Sequence, residues 1–102
     1  MFDQLIADAK MVFATGKLKP GRKLYSQNGV ACVMGAAWAL HHEYRQPQGE
    51  VIGQWAMKYY NIPRDEAQGF VHGWDGSDKE DDSQGYLDGY EAGQNAAAEI
   101  MQ

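Results

Sequence analysis

The sequence is poor in cysteine, in proline and in long apolar stretches. Its 102 residues include one cysteine, Cys32, and three prolines. A single thiol excludes an intramolecular disulfide and any zinc site built from several cysteines. The longest stretch without a polar side chain, residues 29–40, is shorter than the roughly 20 residues that a membrane-spanning helix needs. The first residues also lack the basic start and apolar core of a signal peptide, so we expect a cytoplasmic protein without membrane association.

Basic residues are scarce in the second half of the chain. Residues 1–51 contain six Lys/Arg and four Asp/Glu, whereas residues 52–102 contain three Lys/Arg and ten Asp/Glu. The net charge of the whole chain is −5. The stretch from Asp75 to Glu91 alone holds seven acids and one lysine. Because an acidic chain does not attract the phosphates of nucleic acid, the balance disfavours direct nucleic-acid binding and favours a protein partner with a basic surface.

Apolar residues recur at helical spacing along most of the chain, which predicts a compact, single-domain, all-α bundle of four to five helices over residues 1–102. Helices are predicted over residues 3–15, 29–44 and 83–101, with two more beginning near Val51 and Pro63. The helix over 29–44 is apolar on nearly every side, so we expect it to be central, with Asn28 as its N-cap. Residues 23–26 could form a short extended piece before it.

The last predicted helix has glycine on one face at four-residue intervals, at Gly85, Gly89 and Gly93. Each interior glycine costs about 1 kcal/mol relative to alanine, so the face needs an offsetting contact. We expect it to pack closely against the alanine–glycine stripe of the central helix. A loosely formed C-terminal segment is the alternative.

Cys32 is a candidate nucleophile. Residues 27–38 resemble the nucleophile helix of papain-like cysteine proteases, which also have a glutamine before the cysteine and a tryptophan after it. The resemblance implies a cysteine-dependent enzyme. His41 and His42 would lie about 14–15 Å from Cys32 along the same helix, which leaves His72 as the only base that the fold could bring near. A buried structural thiol is the favoured interpretation, and the enzyme is an alternative.

A second resemblance rests on the run Cys32-Val33-Met34-Gly35-Ala36, which follows an Asn-Gly pair. It resembles small uncharacterised bacterial and phage helical proteins that carry a Cys-x-x-Gly-Ala helix, followed by a further helix and an acidic turn. The resemblance implies a phage or mobile-element origin and transfers no catalytic residue.

The acidic segment does not fit a calcium-binding loop. Counting from Asp78, Ser83 stands where an EF-hand needs glycine, and Gly89 stands where it needs glutamate. We therefore predict no metal and no cofactor. His41, His42 and His72 likewise form no metal motif.

The segment is instead predicted to bind a protein, and the protein to be a small acidic inhibitor of a host nucleic-acid-binding machine, of the anti-CRISPR or DNA-mimic type, without enzymatic activity. A structural homodimer is a further alternative. The predicted partner-binding residues are Asp75, Asp78, Glu80, Asp81, Asp82, Tyr86, Asp88 and Tyr90.

Overall fold

A computed structural model of the protein describes residues 1–22, 29–45, 47 and 51–101. Most of these residues are helical, as the spacing of apolar residues predicts. The described residues form five helices and two short strands, which confirms the all-α prediction. The helices are α1 (Asp3–Thr15), α2 (Val33–His41), α3 (Val51–Tyr59), α4 (Arg64–Asp75) and α5 (Gln84–Ile100), and the strands are β1 (Lys19–Pro20) and β2 (Val30–Ala31).

The chain divides into two compact units, unit 1 over Met1–Asn61 and unit 2 over Ile62–Gln102. The expectation of a single domain stays a prediction. No helix among the described residues is long and apolar enough to cross a membrane.

Helix α1 forms as its sequence predicts. Leu5, Ala9 and Val12 make a buried stripe that faces the rest of unit 1. Gly16 ends the helix with φ at 78°, a left-handed conformation that glycine adopts without steric cost, and its N–H donates to the carbonyl of Phe13.

Helix α2 is central to unit 1, where it contacts both α1 and α3, but it is shorter than the predicted 29–44. It begins late because Gly29 adopts φ of 79° and β2 then pairs in parallel with β1, so that Cys32 becomes the N-cap. It ends early because Glu43 and Tyr44 have φ of 54° and 63°, which no α-helix accommodates. The predicted cap at Asn28 and the extended piece at 23–26 lie outside the described residues.

Unit 2 is built on backbone contact between α4 and α5. A Cβ added at Gly89 would collide with the backbone of Glu66, and one at Gly93 with the backbone of Phe70. Conversely, a Cβ at Gly73 would collide with the backbone of Tyr90. The close packing expected of the glycine face therefore exists, but its partner is α4, and the expectation of α2 was wrong. Glycines on α4 itself let that helix approach, whereas the alanines of α2 carry a Cβ.

The two helices of unit 2 run parallel. Contacts advance in the same direction along both, since Glu66 meets Gly89 and Phe70, one turn later, meets Gly93. The segment between the helices, Gly76–Ser83, must therefore travel back along the pair. We call this segment the acidic loop, because it contains four carboxylates and one lysine.

Candidate functional site

The predicted partner-binding residues fall into an exposed group and a buried group. Asp78, Glu80, Asp81 and Asp82 on the acidic loop, and Asp88 on α5, are exposed. Asp75, the last residue of α4, is partly exposed. The rings of Tyr86 and Tyr90 are buried, with 1% and 6% of their surface accessible.

The buried Tyr86 fixes the middle of the acidic loop. Its hydroxyl accepts a hydrogen bond from the N–H of Glu80 (3.0 Å) and lies 2.6 Å from Nδ1 of His72. The hydroxyl both accepts and donates a hydrogen bond when it donates its single proton to Nδ1 of His72. His72 then carries its proton on Nε2, which is 3.9 Å from the carboxylate of Glu80. Tyr86 and His72 thus hold the loop at Glu80.

Tyr90 fixes the beginning of the loop. Its hydroxyl donates a hydrogen bond to the carbonyl of Ser77, and the ammonium of Lys79 lies 5.3 Å from the centre of its ring. Gly76, with φ of 74°, turns the chain out of α4 and into the loop. At the other end, Asp81 accepts a hydrogen bond from the N–H of Ser83. Side chains of α5 therefore anchor the loop at its start and in its middle.

These contacts divide the predicted site by role. The two tyrosines pack inside unit 2 and hold the loop, whereas the exposed members of the predicted site are all carboxylates. Partner binding by any of these residues stays a prediction.

A second cluster of polar side chains lies in unit 1, around the buried carboxylate of Asp8. Its Oδ1 accepts a hydrogen bond from Gln4 (2.8 Å). Its Oδ2 accepts from Nε2 of His41 (3.0 Å) and from the hydroxyl of Tyr60 (2.6 Å). The cluster links α1, the C-terminal turn of α2 and the residue that follows α3. We call these four residues the Asp8 cluster.

Burial and hydrogen bonding act in opposite directions on this carboxylate. Burial by itself raises the pKa of Asp8, but the hydrogen bonds from His41, Tyr60 and Gln4, together with the charge of His41, outweigh it, and the pKa is lowered. For Tyr60, burial and the adjacent Asp8 both raise the pKa. Asp8 is therefore ionised, and its carboxylate accepts a hydrogen bond from the neutral hydroxyl of Tyr60.

The Asp8 cluster was not predicted from the sequence, although a signal for it was present. Asp8 lies three residues after Leu5 and four before Val12, on the apolar stripe of α1. A charged residue on a buried stripe needs partners, because an unpaired buried charge is strongly destabilising. Nothing in the sequence alone identifies those partners as His41 and Tyr60.

Six rings from α2 and α3 and their flanks form a continuous group in unit 1, which we call the ring cluster. Its members are Trp38, His41, His42, Trp55, Tyr59 and Tyr60. His42 stacks on Trp38 with centroids 3.6 Å apart, and Tyr59 stacks on Trp55 at 5.2 Å. The two stacks meet edge to face between Trp38 and Trp55, at 5.6 Å. Tyr59 is 54% exposed, so one stack ends at the surface.

Cys32 is buried and serves as the N-cap of α2. Its sulfur accepts a hydrogen bond from the N–H of Gly35 (3.5 Å). This role accounts for the residue structurally. The cysteine-dependent enzyme stays an untested alternative.

Among the residues that the structure describes, no group of three or more His, Cys, Asp or Glu side chains is arranged to hold a metal ion. No protein-family model, no curated protein and no solved structure matches the chain.

Proposed function

We propose that the protein acts without catalysis, by presenting the acidic loop to a protein partner with a basic surface. The observation that carries the proposal is the combination of a fixed backbone and exposed carboxylates. The loop is anchored by the buried hydroxyls of Tyr86 and Tyr90, while Asp78, Asp81 and Asp82 face solvent. A surface already ordered before binding loses less conformational entropy when it binds.

The charge of unit 2 supports the same partner chemistry. Residues 62–102 contain ten Asp/Glu and two Lys/Arg, a net charge of −8, whereas residues 1–61 have a net charge of +3. A dense negative surface speeds association with a positive one and discriminates against acidic proteins. A groove that binds nucleic acid is a positive surface of this kind, and on this proposal the protein competes with nucleic acid for it.

The test is affinity capture from a lysate of the native host, with the full chain as bait, at about 50 and about 300 mM NaCl, which bracket physiological screening. The loop variant replaces three exposed carboxylates by isosteric amides: Asp78→Asn, Asp81→Asn and Asp82→Asn. The control variant removes the same charge outside the loop: Asp3→Asn, Glu43→Gln and Glu99→Gln.

We expect a basic protein to be retained by the wild type and the control at low salt, and to be lost from the loop variant. Retention should also fall at the higher salt concentration. Equal retention by the loop variant and the control would contradict the proposal. So would a retained partner whose binding does not depend on salt.

A further inference from the structure

The ring cluster of unit 1 is not used by the proposed function, and it reaches the surface at Tyr59. Trp55 and Tyr59 are four residues apart on α3, on one face of the helix, with their ring planes 26° from parallel. Tyr59 ends this stack and is 54% exposed. A further flat ring placed on Tyr59 would continue the stack.

Several rings of the cluster are held in position by hydrogen bonds before any ligand arrives. The indole N–H of Trp38 donates to the carbonyl of Arg45 (3.2 Å), and Nδ1 of His42 donates to the carbonyl of Trp38 (2.9 Å). His41, 4.6 Å from the ring of Tyr59, is fixed by Asp8. A ligand that stacks here therefore does not have to order these side chains, which favours binding.

Two exposed cations are close in the chain to members of the ring cluster. Nε of Arg45 donates a hydrogen bond to the backbone carbonyl of His42 (3.4 Å). Lys58 is on α3, between Trp55 and Tyr59 in the sequence. Among the described residues from 38 to 60, the exposed acid is Glu43. The carboxylate of Asp8 is buried and accepts three hydrogen bonds.

The exposed charged residues in the described part of unit 1 are also mostly positive. Its exposed charged residues include two acids, Asp3 and Glu43. Against these stand six exposed cations, namely Lys10, Lys17, Lys19, Arg22, Arg45 and Lys58. The negative net charge of the whole chain, which disfavours nucleic acid, therefore does not describe the exposed charges of unit 1.

From these observations we infer that the ring cluster binds single-stranded nucleic acid, with a base stacked on Tyr59 and phosphates beside Lys58 and Arg45. Proteins that bind single strands without sequence preference combine exposed aromatic rings with a positive surface, because every base has a face that can stack. An aromatic side chain of a protein partner would use the ring but would leave the cations without a role. Duplex bases are stacked on each other and cannot reach the ring.

The test is fluorescence anisotropy of a labelled 15-nucleotide oligothymidylate (about the length that one single-strand-binding domain covers), titrated with the full chain at about 50 mM NaCl. We expect Tyr59→Leu, which retains apolar surface but has no ring, to raise the Kd about tenfold, which corresponds to about 1.4 kcal/mol and lies within the range for stacking of one base. Met11→Ala, which truncates another exposed apolar side chain of unit 1, should leave the Kd unchanged.

Two further arms test the charges and the form of the nucleic acid. Lys58→Gln should make the slope of log K against log salt shallower by about 0.7, the value for one phosphate contact on a single strand. Lys19→Gln, an exposed cation of β1, should leave affinity and slope closer to the wild type. A duplex of the same length should bind more weakly than the single strand.

The inference is overturned if the wild type gives no anisotropy change up to about 100 µM protein, a concentration at which even non-specific binding is measurable at low salt. It is also overturned if Tyr59→Leu binds as well as Met11→Ala while circular dichroism shows both to be folded. Sedimentation that reveals self-association abolished by Tyr59→Leu, without strand binding, would assign the ring to a second copy instead.

Failure here is separable from failure of the proposed function. The loop variant Asp78→Asn, Asp81→Asn, Asp82→Asn should lose the basic protein partner, yet it should bind the oligonucleotide at least as tightly as the wild type, because it removes negative charge. A result in one assay therefore does not determine the result in the other.

Discussion

At the scale of single residues, Asp8 matters most to unit 1. It is a charged side chain on the apolar stripe of α1, and it is tolerated there because three donors from different parts of the unit converge on it. Because these hydrogen bonds join α1, α2 and the end of α3, the packing of the three elements depends on one ionised carboxylate. Hydrogen bonds to a charged group typically contribute more than those between neutral groups.

Replacing Asp8 by asparagine should lower the free energy of unfolding by about 2 kcal/mol at pH 7, because the amide weakens the bonds from His41 and Tyr60. Since folding lowers the pKa of Asp8, its stabilising effect is complete above the ordinary value of 3.8 and is lost as the pH falls below that value. The difference between wild type and variant should therefore narrow in acid. Urea unfolding between about pH 2.5 and pH 7 measures it.

Asp3→Asn provides the control for this change, since Asp3 is exposed in the first turn of the same helix. It should cost about 0.5 kcal/mol, the effect of one charge on the helix dipole. A stability difference for Asp8→Asn that stays constant down to about pH 2.5 would mean that the ionised carboxylate is not what stabilises unit 1.

At the scale of secondary-structure elements, some helical glycines pack against a neighbouring helix and others have open space beside them. Gly89 and Gly53 are both helical, but the first abuts the backbone of α4, whereas a Cβ on the second would meet nothing within 4 Å. Helix propensity favours alanine over glycine by about 1 kcal/mol at both positions. Only at Gly89 does steric overlap oppose it.

The Gly89→Ala variant should therefore be destabilised by about 1–3 kcal/mol, because backbone atoms cannot move aside as a flexible side chain could. Gly53→Ala should instead be stabilised by up to about 1 kcal/mol. Thermal unfolding of the two single variants measures both effects. Stabilisation of both variants would contradict the close contact between α4 and α5.

Much of this level of structure was predictable from the sequence. The bounds of α1, the start of α3 at Val51 and the glycine face of α5 follow from periodicity and propensity. The start of α2 was not predictable, because it depends on a strand pairing with Lys19–Pro20 that no local pattern specifies. The prediction that the glycine face of α5 packs against α2 was wrong for a related reason. Small residues indicate that another helix packs closely on that face, but they do not identify which helix it is.

The candidate sites were less accessible to sequence reasoning. Runs of acidic residues predict exposure, and Asp78, Glu80, Asp81 and Asp82 are indeed exposed. The same reasoning does not reveal that Tyr86 and Tyr90 point inward, because an aromatic beside an acidic segment can serve either as contact or as core. In the Asp8 cluster, Asp8 and Tyr60 form a hydrogen bond although they are 52 positions apart, a separation that only the tertiary fold closes.

At the scale of the whole molecule, the division of charge is the dominant property. Unit 2 concentrates a net charge of −8 in 41 residues, and like charges at that density repel one another. Salt shortens the range of this repulsion to about 10 Å at 0.1 M and about 3 Å at 1 M.

Adding NaCl to about 0.5 M should therefore raise the unfolding temperature of the wild type by screening repulsion within unit 2. The loop variant Asp78→Asn, Asp81→Asn, Asp82→Asn should begin at a higher temperature in low salt and gain less from added salt. Differential scanning calorimetry at matched pH measures both. An equal gain for the two proteins would show that the loop carboxylates do not repel their surroundings in the folded protein.

The parallel course of α4 and α5 has a consequence for how this protein can change. The twelve residues of α4 extend about 18 Å, and the eight residues of Gly76–Ser83 can reach about 26 Å when fully extended. A tight turn in place of the loop would force α5 to reverse its direction and would separate the glycines that let the backbones meet. The number of residues in the loop is therefore constrained from below, while the identity of its outward side chains is not. Substitution can alter the charge that the acidic loop exposes, but deletion of more than a residue or two would prevent unit 2 from folding.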